Sequence, residues 1–490
     1  MKHWPQNPTI YEINTWVWLE ELSRRYRREV TLETLPASEW DAIGALGVDA
    51  VWLMGVWERS PAGTHIARTL GGLQDEYRRA LPDFTASDVV GSPYCVHRYV
   101  VDERLGGPEG LASAREHLAK RNMKLLLDFV PNHVALDHPW VARHPDYLVQ
   151  GNAEQGEATP GHFHAYAGLL LAHGRDPYFP PWTDTLQVNA FHPGLRAAVV
   201  ETLRNIASQC DGVRCDMAML VTNRVFGETW GPWVGPAPSE EFWTEVTRTI
   251  HRRFPDFLFI AESYWDLEWE LQQQGFDYCY DKRLYDRLVH APATSVRDHV
   301  RADLGYQKRL VRFIENHDEP RAAAVFGAER SQAAAVVMAT LPGAKLFHQG
   351  QFEGCRIKLP VQLGRRPAEV IDAHLHGFYR TLLRAIKRKV LRDGDWMPCE
   401  TNGWPDNQSH YNLAAWCWRK GKERLLIVVN LSSDPAQGRV RVPWDQLTKR
   451  SWRLTDVFSG QIYERAGDEM LDPGLYIELG GWGFHFLRFA

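Results

Sequence analysis

Residues 312–323 read RFIENHDEPRAA. Phe313 and Ile314 are a short apolar run. Glu315, Asn316, His317, Asp318 and Glu319 follow side by side. Charges cost too much to bury without partners, so such a row either meets water or converges on something. Seven further apolar runs share the pattern. They start at Thr9 (TIYEINTWVW), Val48 (VDAVWLMGV), Lys124 (KLLLDFV), Asp211 (DGVRCDMAM), Phe257 (FLFIAESYW), Phe276 (FDYCY) and Ala344 (AKLFHQG). Amphipathic stretches such as GPEGLASAREHLAKRNM separate most of them. Strands alternating with helices predict parallel strands joined by crossovers, and a set of eight predicts a closed β/α barrel. No GxGxxG or GxxxxGKS follows any run, so an open nucleotide-binding sheet has no support.

The chain has 490 residues, enough for a large barrel and a smaller domain. From about Gly394 the pattern changes to alternating apolar and polar residues with glycine turns, as in LAAWCWRKGKERLLIVVNLSS, which predicts an antiparallel β-domain. The expected division is 1–132 and 188–392 for the barrel, 133–187 for a loop-rich insert rich in His, Pro, Gly and Trp, and 393–490 for a C-terminal β-sandwich. A net charge of −5 gives no electrostatic case for nucleic acid or an anionic membrane. No apolar run is long enough to cross a bilayer. MKHWPQNPTIYEI lacks an apolar signal core, and the seven cysteines are scattered without CxxC pairs. Reduced thiols in a cytoplasm, without zinc, are the expectation. The 20 tryptophans fill a core or offer flat faces to sugars.

In such a barrel, working residues sit at the C-terminal ends of strands. The third run ends in Asp128, Asn132 and His133, the fourth in Arg214 and Asp216, the fifth in Glu262, and the seventh in His317 and Asp318. Arg214 and Asp216 are two apart and share a face, so Arg214 is the natural partner of that acid. Singly, each acid also reads as a solvated loop residue or a helix cap.

Together these motifs resemble the α-amylase family of retaining glycoside hydrolases and transglycosidases. DFVPNH matches the family's DxxxNH, GVRCD its GxRxD, FIAES its strand-five Glu and NHD its strand-seven motif. TDTLQVN, ending at Asn189, echoes a further motif, and Tyr94 in SPYCVHRY another. The resemblance runs in order from about residue 9 to 390. It implies an α/β fold: a (β/α)8 TIM barrel with an insert after strand three and a C-terminal antiparallel β-domain. Asp216 would be the nucleophile, Glu262 the general acid/base, and Asp318 the residue that steadies the distorted sugar. Arg214 would orient Asp216, His133 and His317 would bind hydroxyls with support from Asp128, and Tyr94 would stack on the sugar. Glu262 follows FLFIA, and an apolar surround would raise its pKa, as an acid requires.

The implied activity is double displacement on α-linked glucosides, α-1,4-glucans or malto-oligosaccharides, through a glycosyl-Asp intermediate. The alternatives are a transglycosidase using a sugar or phosphorylated acceptor, and an inactive glycan-binding or scaffold relative. Asn132 matches a calcium ligand of some relatives, while others keep it without calcium; no metal or cofactor is predicted. Three features depart from the family. Met219 and Leu220 replace a Lys and a His after the nucleophile, Ser92 replaces a His, and Cys95 replaces the Asp of many exo-acting glucosidases. Arg356, Lys358, Arg365 and Arg366 form either a solvated basic loop or an acidic-acceptor site. Trp57, Trp182, Trp230 and Trp233 either line a cleft or pack beneath loops.

Overall fold

The computed structural model describes residues 4–159 and 161–490. Eight parallel strands close a barrel: β1 (Thr9–Asn14), β2 (Ala50–Met54), β3 (Lys124–Phe129), β4 (Gly212–Cys215), β5 (Leu258–Ala261), β6 (Tyr278–Tyr280), β7 (Leu310–Arg312) and β8 (Ala344–His348). Their order around the ring follows the chain, with β1 between β2 and β8. All eight expected runs are therefore strands of one barrel. Most of their residues are buried, as a sheet covered on both faces requires.

Register decides what the strand ends can do. On β4, Arg214 lies opposite Asp128 of β3 and Ile260 of β5, and Cys215 lies opposite Ala261. The next residue on each strand is Asp216 and Glu262, so the two acids leave the sheet at the same level. Backbone bonds carry this level past the sheet: Glu262 N–H donates to Cys215 O (3.0 Å) and Asp216 N–H to Phe129 O (2.8 Å). Gly212 permits the approach, because a Cβ there would stand 2.6 Å from Leu258 O and 2.7 Å from Leu258 Cβ. The crossover helix Pro193–Gln209 packs Leu195, Val199, Leu203 and Ile206 inward, at the spacing of one helix face.

Within the insert, His133–Ala135 pairs antiparallel with Thr185–Gln187, and a three-stranded sheet forms from Gln150–Gly151, Phe163–Tyr166 and Leu169–Ala172. The C-terminal region holds an antiparallel six-stranded sheet and a three-stranded one. Its core includes Leu413, Val428, Val440, Trp444 and Trp452. The chain packs as two compact units. One joins the N-terminal residues through Ile10 with Asp281–Ile357 and Glu369–Ala490; the other joins Tyr11–Tyr280 with Lys358–Ala368. All seven cysteines are free and buried. Among the described residues, no helix is long and apolar enough to cross a membrane.

Candidate active site

Arg214 is the hub of the site in the unit Tyr11–Tyr280. Its side chain is 1% exposed. One guanidinium nitrogen lies 2.6 Å from Asp216 Oδ1 and the other 2.8 Å from Glu262 Oε2. Its plane lies near three rings, Tyr94 at 5.1 Å, Trp52 at 5.6 Å and Tyr280 at 5.7 Å. Burial works against the Arg214 charge. Glu262, then Tyr94, Tyr280 and Asp216, outweigh burial and hold its pKa well above the ordinary value. Sequence spacing pairs Arg214 with Asp216, and the fold adds Glu262 as a second partner.

Glu262 differs from the expectation of an apolar surround. It is buried, but it accepts three hydrogen bonds. Besides Arg214, the Met217 N–H donates to Oε2 (2.6 Å) and the Tyr264 hydroxyl to Oε1 (2.8 Å). Donors favour a carboxylate, not an acid. The cause is tertiary: FLFIA is apolar, but the groups around the strand end come from β4 and from the loop after β5. Met217 holds a left-handed φ of 42°, uncommon for a long side chain, and that turn aims its N–H at Glu262.

Asp128 is buried and serves the scaffold. Oδ1 accepts from Trp52 Nε1 (3.2 Å) and Oδ2 from Gly55 N–H (2.9 Å), while Trp57 Nε1 donates to Asp128 O (2.8 Å). These bonds tie the end of β2 to β3. Gly55 has φ 79°, and a Cβ there would lie 2.9 Å from Pro93 Cβ. His133 is buried, its Nε2 3.2 Å from Tyr94 O, and the Trp182 ring lies 5.2 Å away. Burial pushes its pKa down to about 4. His138 is likewise pushed down to about 4, by burial first.

In the other unit, β7 leads into the NHD row. Asn316 Oδ1 accepts from the N–H groups of Asp318 and Glu319, both at 2.9 Å, which fixes the turn. His317 Nε2 lies 2.9 Å from Asp318 Oδ2, with His317 buried and the Asp318 side chain 42% exposed. Glu315 is not part of an exposed row. It is buried against Arg321 (2.7 Å) and His348 (3.4 Å) and accepts from Ala322 N–H, so it braces the turn from below.

Several other expectations resolve. Asn132 Oδ1 accepts from Gln187 Nε2 at 2.9 Å, and the same amide reaches Asn132 O at 2.8 Å. An amide occupies the place where a cation would need oxygen donors, so the residues present do not fit calcium. Arg365 binds Asp83 and Asp88, and Arg366 binds Glu21. Arg365 and Arg366 thus close on acids of their own unit and are not left open to an acidic acceptor. Trp57 and Trp230 are buried, and Trp233 packs on Trp230 and Phe163. Met219 and Leu220 are buried in the core.

Three contributors were missed by sequence reasoning: Tyr264, Tyr280 and Asp184. Tyr264 stands two residues past Glu262, a spacing that carries no signal alone. Asp184 lies inside the TDTLQVN stretch. Its carbonyl accepts from Cys95 Sγ (3.1 Å), and its carboxyl, raised in pKa by burial and opposed by His133, has no side-chain partner among the described residues. It is a further candidate for a sugar hydroxyl.

The buried histidines predict a pH dependence. His133 and His138 stay neutral in the fold down to about 4 and protonate near 6.5 when unfolded. The unfolded chain therefore binds more protons between these values, and stability falls as pH falls through them. The loss is at most about 1.4 kcal/mol per pH unit for each histidine. Thermal melts at pH 7 and pH 5 should show the lower midpoint at pH 5; equal midpoints would count against buried neutral rings.

No family model matches the chain. Alpha-amylase MalA of Haloarcula japonica is 24% identical over 484 residues, covering 95% of this chain and 60% of MalA. The chain thus spans about 60% of the length of that relative. Among solved structures, the maltogenic α-amylase AmyB of Thermotoga neapolitana superposes with a TM-score of 0.69 at 19% identity, over 99% of both chains. The α-amylase of Geobacillus thermoleovorans, solved with acarbose, gives 0.68 at 17%, over 100% of this chain and 99% of that one. In the order of its strand-end motifs, in the barrel that carries them and in sequence along nearly the whole chain, this protein is similar to α-amylases.

Proposed function

We propose that the protein is a retaining enzyme acting on α-linked glucosides. The observation that carries this reading is one guanidinium shared by Asp216 and Glu262. Two carboxyls on one fork suit a separation of roughly 5–5.5 Å, the spacing of double displacement. Asp216 attacks the anomeric carbon while the glycosidic C–O bond breaks and the Glu262 proton passes to the leaving oxygen. Water then attacks the glycosyl-Asp ester, its proton returns to Glu262, and Asp216 is released. Asp318, paired with His317, steadies the distorted sugar, and Tyr94 and His133 contact it. The domain division drawn from the sequence, with an insert at 133–187 and a β-domain from 393, belongs to the same proposal.

At rest the donors around Glu262 suit its second role, as base. For the first role the leaving oxygen has to loosen one of them, and Tyr264, half-buried on its loop, is the donor best placed to turn. The relatives named as α-amylases support α-glucans or malto-oligosaccharides as substrates. The closing of Arg365 and Arg366 on acids weakens the case for a phosphorylated acceptor.

The test is stereochemical. Early-time NMR of malto-oligosaccharide cleavage should show the α-anomer first; a β-anomer first refutes double displacement. Glu262→Gln should nearly abolish turnover of maltosides and spare α-glucosyl fluoride, whose leaving group needs little acid help. Equal losses on both substrates would remove Glu262 from the acid role.

A further inference from the structure

The chain does not pass directly from β2 to Tyr94. Helices Pro61–Thr69 and Gly71–Ala80 and a short turn at Ala86–Asp88 come between. A second segment, Lys358–Ala368, follows β8 and belongs to the same compact unit. The two are sealed together. Ala67, Tyr77, Leu81, Val89 and Leu363 form a small buried core of their own. Val89 stands opposite Leu363 in an isolated bridge, Val90 N–H donates to Gln362 O (2.9 Å), and Gly364 N–H donates to Asp88 O (2.8 Å). Arg365 closes the seam, with Nε 2.6 Å from Asp88 Oδ1 and Nη1 3.0 Å from Asp83 Oδ1.

This wall reaches the loop that carries Tyr94. Gly91, three residues earlier, has a φ of 92°, and a Cβ there would stand 2.3 Å from Thr64 Oγ1 of the first helix. Cys95, one residue later, sits over Gly63 of the same helix, where a Cβ would meet Sγ at 2.5 Å. Ser60 N–H donates to Cys95 O (3.0 Å). The buried Arg59 spans both segments, its Nη1 donating to Gly91 O (2.5 Å) and lying 3.4 Å from Val361 O. Backbone on either side of Tyr94 is therefore packed against the wall too closely to admit one more methyl group.

Position around the barrel gives the wall its meaning. It is built from the chain that follows β2 and the chain that follows β8, the two neighbours of β1. Glu262 follows β5, which lies four strands from β1 in either direction and so stands across the ring. With Glu262 as proton donor, the leaving oxygen lies on the β5 side. The part of a glucan that stays attached to the cleaved sugar then runs toward β1. We propose that the wall formed by residues 61–91 and 358–368 closes the cleft behind Tyr94, so that the enzyme takes α-glucans only from the non-reducing end. This deepens the reading of Glu262 as proton donor and rests on it. An internal stretch of polymer would have to pass through packed residues, whereas a chain end stops at them.

The test compares 4-nitrophenyl maltoheptaoside with the same compound carrying a 4,6-ethylidene group on its non-reducing end. The wall predicts that kcat/KM falls at least about a hundredfold on the blocked compound, because exclusion by a clash is a difference of affinities. β-Cyclodextrin, which has no end, should be as resistant. Arg365→Ala, which loosens the seam, should raise the blocked-to-open ratio about fivefold and leave turnover of α-glucosyl fluoride unchanged. Blocked and open compounds cleaved within tenfold of each other by the wild type overturn the wall, whether or not the variant folds. A folded Arg365→Ala protein with the wild-type ratio overturns it as well. A wild-type protein that turns over no α-glucoside overturns the enzymatic reading instead, and calorimetry then decides the wall. Maltoheptaose should bind at least about tenfold tighter than β-cyclodextrin, and equal affinity for the two overturns the closure.

Discussion

Asp216→Asn should lower turnover of every α-glucoside substrate by about four orders of magnitude or more, with the fold intact. An amide cannot attack the anomeric carbon, so the covalent intermediate never forms. Structure should survive because Arg214 keeps Glu262 at 2.8 Å, and the Asn oxygen can accept from the nitrogen now 2.6 Å from Asp216. The measurements are steady-state rates on malto-oligosaccharides, a far-UV spectrum and a melting curve. Activity within tenfold of wild type places the nucleophile elsewhere. A collapsed fold with the loss would make the loss uninformative, and Asp216→Glu, with its displaced carboxylate, then serves as the second variant: it should fold and remain nearly inactive.

Arg214→Met should have the largest effect on stability. Removing one side of a buried ion pair leaves an uncompensated charge and costs about 3–5 kcal/mol. Here two carboxyls, Asp216 and Glu262, lose the same partner, and the cation also leaves its place near Trp52, Tyr94 and Tyr280. Denaturant midpoints should fall accordingly at pH 7. The deficit should narrow toward pH 5. In the variant, burial and mutual repulsion raise the pKa of the acid pair, so the folded state binds more protons than the unfolded one and gains stability as pH falls. Catalysis should be lost at either pH, because the orientation of both acids depends on this fork. A pH-independent deficit would mean that the two carboxyls are not held as a charged pair.

Strand-level features were open to reading because they are local. An apolar run that ends in acids states both where a strand lies and which end does the work, and in a barrel every such end meets the same face. Arg214 and Asp216 were legible as neighbours because alternate residues on a strand share a side. All eight strands and the order of the motifs follow from this logic.

Other features depended on what meets what across the sheet. The surround of Glu262 was misread because FLFIA describes its own strand, whereas Arg214, Met217 and Tyr264 arrive from β4, the turn after it and the loop beyond β5. By motif Asp128 supports the hydroxyl-binding histidines, and only the fold shows that its carboxylate also ties Trp52 of β2 and Gly55 just beyond it to β3. Glu315, first of the polar row that follows Ile314, is a buried support through Arg321. Asn132 is spoken for by Gln187, 55 residues away in the chain. Sequence alone determined the barrel, its strand ends and the chemical types of residue gathered there, because these depend on periodicity and composition. Tertiary structure alone decided which acid shares which cation, which carboxylates brace and which remain to react, and which aromatic rings stay open, because pairing energies at low dielectric depend on distances that no local pattern encodes.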